Sequence, residues 1–244
     1  MSTVIGVFSA KGGVGKTLLA TNLAVAFGIG HHRKTALLDL NCGSGTADLL
    51  LDLEPDRSWS DLVSVVSELS AQHIKLAVTE YRPGVDLLAS PGDWNWKGSL
   101  TKKNLRLLVD SLKQEYDLVV LDSPCSAGGT AEAALSLADI RLVLLTPDAP
   151  TLRATRRFLA AIPEQERTTG LVINQQAPGA AIKPDEIKEH LGERLFGVFP
   201  IDPAGVWANI SYGEPCVLRK TSKLGKSIRQ LAAWLLKTID QKGI

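Results

Sequence analysis

The sequence predicts an α/β fold, a mostly parallel central sheet of about seven or eight strands with helices on both faces, and three observations carry that expectation. Short β-branched and leucine-rich runs recur along the whole chain, most of them are continuous rather than alternating, and helical stretches separate them. Continuous apolar strands are what a sheet covered on both faces requires, because neither side of such a strand meets water. In chain order the strand candidates are 3–8, 35–40, 85–89, 117–121, 140–146, 171–174 and 195–199. The first reads Thr-Val-Ile-Gly-Val-Phe and the fourth ends Val-Val-Leu, with no charge inside the apolar run of either. Helical candidates are 16–27, 59–69, 101–115, 130–137, 151–161, 184–195 and 222–240. Residues 90–99 carry Pro91, Gly92, Trp94, Trp96 and Gly98 and read as a surface loop. There is no internal repeat or low-complexity linker, so residues 1–244 are expected to form one domain.

Composition narrows the class further. With 45% hydrophobic and 22% charged residues among 244, the chain is too apolar for disorder and too charged for a membrane-embedded protein. Lys plus Arg total 27 against 26 Asp plus Glu, so the net charge of +1 gives no whole-molecule case for nucleic acid or an anionic surface. Cys42, Cys125 and Cys216 lie far apart with no C-x-x-C pair, which argues against a disulfide framework or zinc site. The N-terminus lacks the basic and apolar regions of a signal peptide, and a cytoplasmic protein is expected.

The chemistry starts where the first strand ends. Ala10-Lys11-Gly12-Gly13-Val14-Gly15-Lys16-Thr17 is followed by the helical run Leu18-Leu19-Ala20-Thr21-Asn22-Leu23-Ala24. This is the Walker A pattern with Ala10 at its first glycine position. Glycines let backbone N–H groups turn inward around a β-phosphate, and the helix N-terminus adds its positive end. Lys16 reaches the β and γ phosphates, and Thr17 offers a hydroxyl to Mg²⁺. The expected fold is therefore the three-layer P-loop NTPase. Asp39 and Asp122 end the second and fourth strand candidates, on the side where open parallel sheets bind ligands. Asp122, in Leu121-Asp122-Ser123-Pro124, reads as the Mg²⁺-holding carboxylate, with a turn-capping aspartate as the alternative. Ser123-Pro124 with Gly128-Gly129 reads as a flexible switch.

Lys-Gly-Gly-Val-Gly-Lys-Thr, with its second lysine at Lys11, resembles the deviant Walker A of the MinD/ParA superfamily. The resemblance implies ATP/ADP and Mg²⁺ as cofactors and an ATP-sandwich homodimer in which Lys11 reaches the partner's nucleotide, where an extra cation would stabilise charge developing in phosphoryl transfer. A solvated loop lysine is the alternative. The resemblance implies nucleotide contacts from Lys11 through Leu18 and catalytic roles for Lys11, Lys16 and Asp39. It also implies an adenine-contacting Asn174, although a turn-forming Asn fits nearly as well, and a base pocket closed by Pro200 and Asp202. Asp148 matches an acidic position near the dimer interface. The family's Asp-x-Asp signature is Asp39-Leu40-Asn41 here, and an amide cannot accept a proton as a carboxylate can, so slow or partner-dependent hydrolysis is expected.

Residues 51–59, 87–91, 147–153 and 200–203 resemble the CpaE/TadZ branch, which places pilus or secretion machinery at a cell pole. Members of that branch commonly carry a receiver-like domain, whereas this sequence begins at the first strand, so a receiver, anchor or effector is expected on another chain. A MinD-type septum or flagellar regulator, a ParA-type DNA partitioner and an ATP-retaining scaffold are the alternatives.

Surface features carry competing readings. The last helix has Leu224, Ile228, Leu231, Leu235 and Ile239 on one arc and Lys226, Arg229 and Lys237 opposite. It could lie on an anionic membrane at the inner face of the envelope, but packing of the stripe on the sheet is the favoured reading. Arg153, Arg156 and Arg157 could touch DNA phosphate, though a solvated or dimer-facing helix is favoured. Trp94 and Trp96 are either a docking point or lids over a small core. Cys42 and Cys125 are expected to be buried, unreactive thiols beside the two switches.

Overall fold

Residues 2–93, 100–125, 128–162, 168–192 and 194–242 are described by a computed structural model of the chain. Eight strands form one sheet in the order β3-β4-β2-β5-β1-β6-β7-β8. They are β1 (Thr3–Phe8), β2 (Thr35–Asp39), β3 (Thr79–Arg82), β4 (Val85–Leu88), β5 (Leu118–Asp122), β6 (Ile140–Leu145), β7 (Thr168–Gln176) and β8 (Leu195–Pro200). Every neighbouring pair is parallel except β3 with β4. All six residues of β1 are buried, as a strand at the centre of a covered sheet must be.

Successive side chains of β1 serve opposite layers. Ile5 and Val7 join a core with Leu23 and Leu231, whereas Val4 and Phe8 join one with Leu105, Leu108 and Ala134. The first layer is built by α1 (Lys16–Val25) and α9 (Lys223–Lys242). The second is built by α2 (Trp59–Val63), α3 (Ala71–Ala77), α4 (Lys102–Glu115) and α5 (Gly129–Leu137). A third cluster packs Leu152 of α6 (Ala149–Ala161) and Ile187 of α7 (Pro184–Leu191) on β6 and β7. The remaining helix, α8 (Pro203–Tyr212), follows β8.

Several expected boundaries shift for local reasons. The helix expected over 59–69 stops at Val63 and continues as a short 3-10 turn at Val66–Glu68. The helix expected to reach 195 stops at Leu191, because Gly192 takes φ 69 and caps it. β3 was not anticipated: Thr-Glu-Tyr-Arg alternates half-buried and exposed, the pattern of an edge strand. Helices α3 and α8 were also unanticipated. At the end of α1 the chain widens into a π turn over Ala26–Gly30, and Gly28 lies so close to the β3–β4 hairpin that a Cβ there would fall 2.5 Å from the Gly84 carbonyl oxygen. Trp94, Trp96 and the rest of 94–99 lie outside the described residues.

The apolar stripe of α9 settles on the sheet layer: Leu224, Ile228, Leu231, Leu235 and Ile239 are all buried. That stripe is therefore spent on the core, and among the described residues no helix is long and apolar enough to cross a membrane. Truncating Leu235 to alanine should cost about 2–5 kcal/mol in urea-induced unfolding, the range for emptying a buried leucine site.

Candidate nucleotide site and family

The loop after β1 is shaped by two glycines that no other residue could replace without strain. Gly13 takes φ 77 and Gly15 φ 97, both in the left-handed region. Gly15 is constrained twice, since a Cβ at that position would also sit 2.8 Å from Asn174 Nδ2. Gly15 caps α1 without any side-chain hydrogen bond, so the first-turn N–H groups are left for an anion. Ser9 Oγ donates to the Lys11 carbonyl at 2.7 Å and holds the loop's first turn. Lys16 is buried at the first helical position, while Lys11 is exposed.

Behind the loop stand two carboxylates at the ends of adjacent strands. Asp39 and Asp122 are register partners in the β2–β5 pairing and are 2% and 0% exposed. Thr17 Oγ1 donates to Asp122 Oδ2 at 2.7 Å. Asn41 Nδ2 donates to both acids, at 2.8 Å to Asp39 Oδ1 and 2.7 Å to Asp122 Oδ2, and the Asn41 backbone N–H adds a bond to Asp39 at 2.9 Å. Trp59 Nε1 donates to the Asp39 carbonyl at 2.8 Å and ties α2 to the end of β2. Burial, then the Asp39 charge, pushes the Asp122 carboxyl up to about 8, against the pull of Thr17, Lys16 and Asn41. Asp39 is raised as well, chiefly by burial.

This geometry fits a divalent cation. Asp122 Oδ1 is buried and has no hydrogen-bond partner among the described residues, the Thr17 hydroxyl lies against the same carboxylate, and both are hard oxygen donors of the kind Mg²⁺ prefers. A bound cation would supply the positive charge that the two buried acids lack and would polarise a phosphate oxygen. Asn41 occupies a position where a carboxylate would make a third negative group. Its two amide hydrogens are committed to the existing acids.

A cavity of about 570 Å³ opens from Gly13, Gly15 and Asn174 toward Pro200, Ile201 and Asp202. Asn174, at 7% exposure, donates from Nδ2 to the Val14 carbonyl at 2.8 Å, so the strand-end asparagine is built into the loop. Pro200, the last residue of β8, forms part of the wall. Asp202 also lines the cavity, but its carboxylate is committed elsewhere: it accepts from Gly205 N, Ser222 Oγ and Leu224 N, capping α8 and bracing the start of α9. Burial raises its carboxyl, and these bonds overcome that and lower it. The opposite wall, with Thr46, Leu49, Leu50 and Ile210, was not foreseen, since apolar side chains on a loop and an unanticipated helix carry no motif.

Other expected residues are placed as follows. Asp148 caps α6 through Thr151 N, and burial, which would raise its carboxyl, is outweighed by that bond, by Thr146 and by Lys11 nearby. Arg153, Arg156 and Arg157 are exposed on α6. Cys42 and Cys125 correct the expectation of buried thiols, because both are exposed and only Cys216 is buried. Cys125 Sγ stands 4.0 Å from where a Cβ on Gly12 would be, beside the phosphate loop. Residues 126–127 of the second switch lie outside the described residues.

The Asp122 carboxyl sets a pH dependence. A group whose folded value is raised binds its proton more tightly in the folded state, so its contribution is intact near pH 4 and is lost as pH rises toward about 8. Metal-free protein should lose stability over that window, and Asp122→Asn should flatten the loss and raise stability at pH 8 by about 1–3 kcal/mol. The same variant should lose Mg²⁺-dependent nucleotide binding; thermal melts across pH with and without Mg²⁺ check both.

Residues 2–175 match the family model described as an AAA domain. The septum site-determining protein MinD of Bacillus subtilis is 28% identical over 243 residues, spanning 97% of this chain and 90% of its own length. Among solved structures, the cell division ATPase MinD of Pyrococcus furiosus superposes with a TM-score of 0.85 at 25% identity, covering 98% of this chain and 100% of that one. A ParA family ATPase from Chlorobium tepidum reaches a TM-score of 0.87 at 22% identity, covering 95% and 98%. MinD of Pyrococcus horikoshii, in complex with Mg-ADP, reaches 0.83 at 23%, covering 96% of each chain. The matched family model covers well over half of the chain and its relatives span nearly all of it, and the chain belongs to the MinD/ParA superfamily of P-loop ATPases.

Proposed function

We propose that this protein is an ATP-dependent spatial regulator: ATP with Mg²⁺ closes a homodimer, the dimer presents a surface to a partner, and hydrolysis to ADP and phosphate releases it. The observation that carries the reading is the contrast between the loop's two lysines. Lys16 is buried at the helix N-terminus, where it serves the nucleotide of its own chain. Lys11 is exposed and makes no side-chain hydrogen bond among the described residues, which leaves its ammonium free to reach a nucleotide held by a second copy. Thr17 and Asp122 hold Mg²⁺, Gly12 through Leu18 surround the phosphates, and Asn174 and Pro200 flank the base.

The regulated machine is a cell-envelope assembly. Segments resembling the CpaE/TadZ branch favour a pilus or secretion system and polar placement, while the septum site-determining names of the relatives favour a division-site role. A pull-down with the ATP-locked dimer, followed by identification of the captured protein, separates the two. A membrane contact, on this reading, runs through the exposed basic side of α9, because the apolar stripe is in the core. DNA is a weaker partner, for the overall charge is only +1.

Light scattering should show a dimer with ATP and a monomer with ADP. A dimer with either nucleotide would instead identify a scaffold that retains ATP. Lys11→Ala should remain monomeric with ATP and lose about 10²-fold or more in turnover, the scale for removing one transition-state donor. Basal hydrolysis should be slow, and Asn41→Asp should raise it about tenfold or more in a phosphate-release assay. Rapid basal turnover that is indifferent to Asn41→Asp would sink this account of the switch.

A further inference from the structure

Two fully buried asparagines lie behind the cavity that runs from the phosphate loop to Pro200, and no step assigned above uses them. Asn22 stands on α1, five residues after Thr17, and Asn209 stands on α8; both are 0% exposed. Asn209 Nδ2 donates to the Leu50 carbonyl at 2.7 Å. Asn22 Nδ2 donates to Asn209 Oδ1 at 2.8 Å and to the Leu18 carbonyl at 2.9 Å, and Asn22 Oδ1 accepts from Val217 N at 3.0 Å. The chain of bonds is directional, running from Val217 N through both carboxamides to the Leu50 carbonyl. Each link needs a donor and an acceptor on one side chain, and a carboxamide supplies both.

What the relay joins gives it meaning. Leu18, Leu50 and Ile210 all line the cavity. The first two carry the carbonyls that accept from the asparagines, and Ile210 follows Asn209 directly on α8. The three walls thus come from α1, from the segment after Asp39 and Asn41, and from α8, which are remote in sequence. Neither asparagine lines the cavity itself. A packed apolar wall has no preferred distance of its own beyond contact, whereas a hydrogen bond of fixed length and direction does.

We infer that Asn22 and Asn209 are positioning residues that set the width of the base slot, so that nucleobase affinity and selectivity depend on two side chains that do not touch the nucleotide. This rests on the reading that the cavity receives the base of a nucleotide whose phosphates lie on the Gly12–Thr17 loop. An aspartate at 209 would keep the acceptor for Asn22 but lose the donor to Leu50. A leucine would leave the Leu50 carbonyl and one Asn22 N–H without partners, and the wall would relax around them.

The test compares titration calorimetry of Mg²⁺·ATP, Mg²⁺·GTP and Mg²⁺·tripolyphosphate. In wild-type protein ATP should bind more tightly than both. In Asn209→Leu and Asn22→Ala, ATP affinity should fall about tenfold and the ATP-to-GTP preference should shrink, while tripolyphosphate affinity stays within about twofold. The double variant should be little worse than either single one, because both break the same relay. Trp207→Ala, on the exposed side of α8, should leave all three affinities unchanged. In unaltered protein, the Asn209 side-chain amide resonances should shift with Mg²⁺·ATP and stay in place with Mg²⁺·tripolyphosphate, a readout that needs no variant to fold. A wild type that binds ATP and tripolyphosphate equally would overturn the base-slot reading itself. A wild type that prefers ATP, with variants that keep the same preference or lose all three ligands in parallel, or amide resonances that do not respond to ATP, would overturn the positioning role alone.

Discussion

Two carboxylates buried side by side constrain everything at the open end of this sheet. Asp39 and Asp122 are brought level by the parallel pairing of β2 with β5, and neither reaches water. Unpaired, buried charge of one sign is among the least favourable arrangements a fold can hold, and burial accordingly pushes both carboxyls upward. The surroundings are organised as a partial answer: Thr17 and Asn41 donate to the acids, and the field of Lys16 favours the charge of Asp122. The remaining deficit is what a divalent cation with a nucleotide supplies. Ligand binding and local stability are therefore linked through the same oxygens.

Asn41 shows how one substitution can move a site between uses. As an amide it bonds to both acids and ties them together. As a carboxylate it would add repulsion there and basicity for a water molecule. The family pattern has an aspartate at this position, and on the proposed function the amide would shift the balance from turnover toward a long-lived bound state. Such a balance would suit the proposed output, occupancy of a surface, because the lifetime of a closed dimer would set how long a partner is held.

The phosphate loop and the strand ends were legible from residues alone because their chemistry is local. Lys11 through Thr17 is one contiguous turn, and each of Asp39, Asp122 and Asn174 stands at or near the end of an apolar run. The central strands were equally legible, since burial on both faces leaves continuous apolar runs. Edge strand β3, with its alternating exposure, and helices α3 and α8 were not legible: their patterns are short and mixed, and packing decides them, at the sheet edge for β3, beside α2 and α4 for α3, and beside α9 for α8. The fate of α9 was open in the sequence, where one amphipathic pattern serves a membrane surface and a core equally well.

By itself, then, the sequence determined the fold class, the phosphate loop and the acids at the strand ends, because adjacency along the chain specifies them. Tertiary structure alone decided that Asn41 bridges two acids and that the cavity has a second wall from Thr46 to Leu50 and Ile210. It also decided that Cys42 and Cys125 face solvent, and that Asn22 meets Asn209 across 187 residues. Those features depend on distances between segments far apart in the chain. Such distances exist only once the layers have packed.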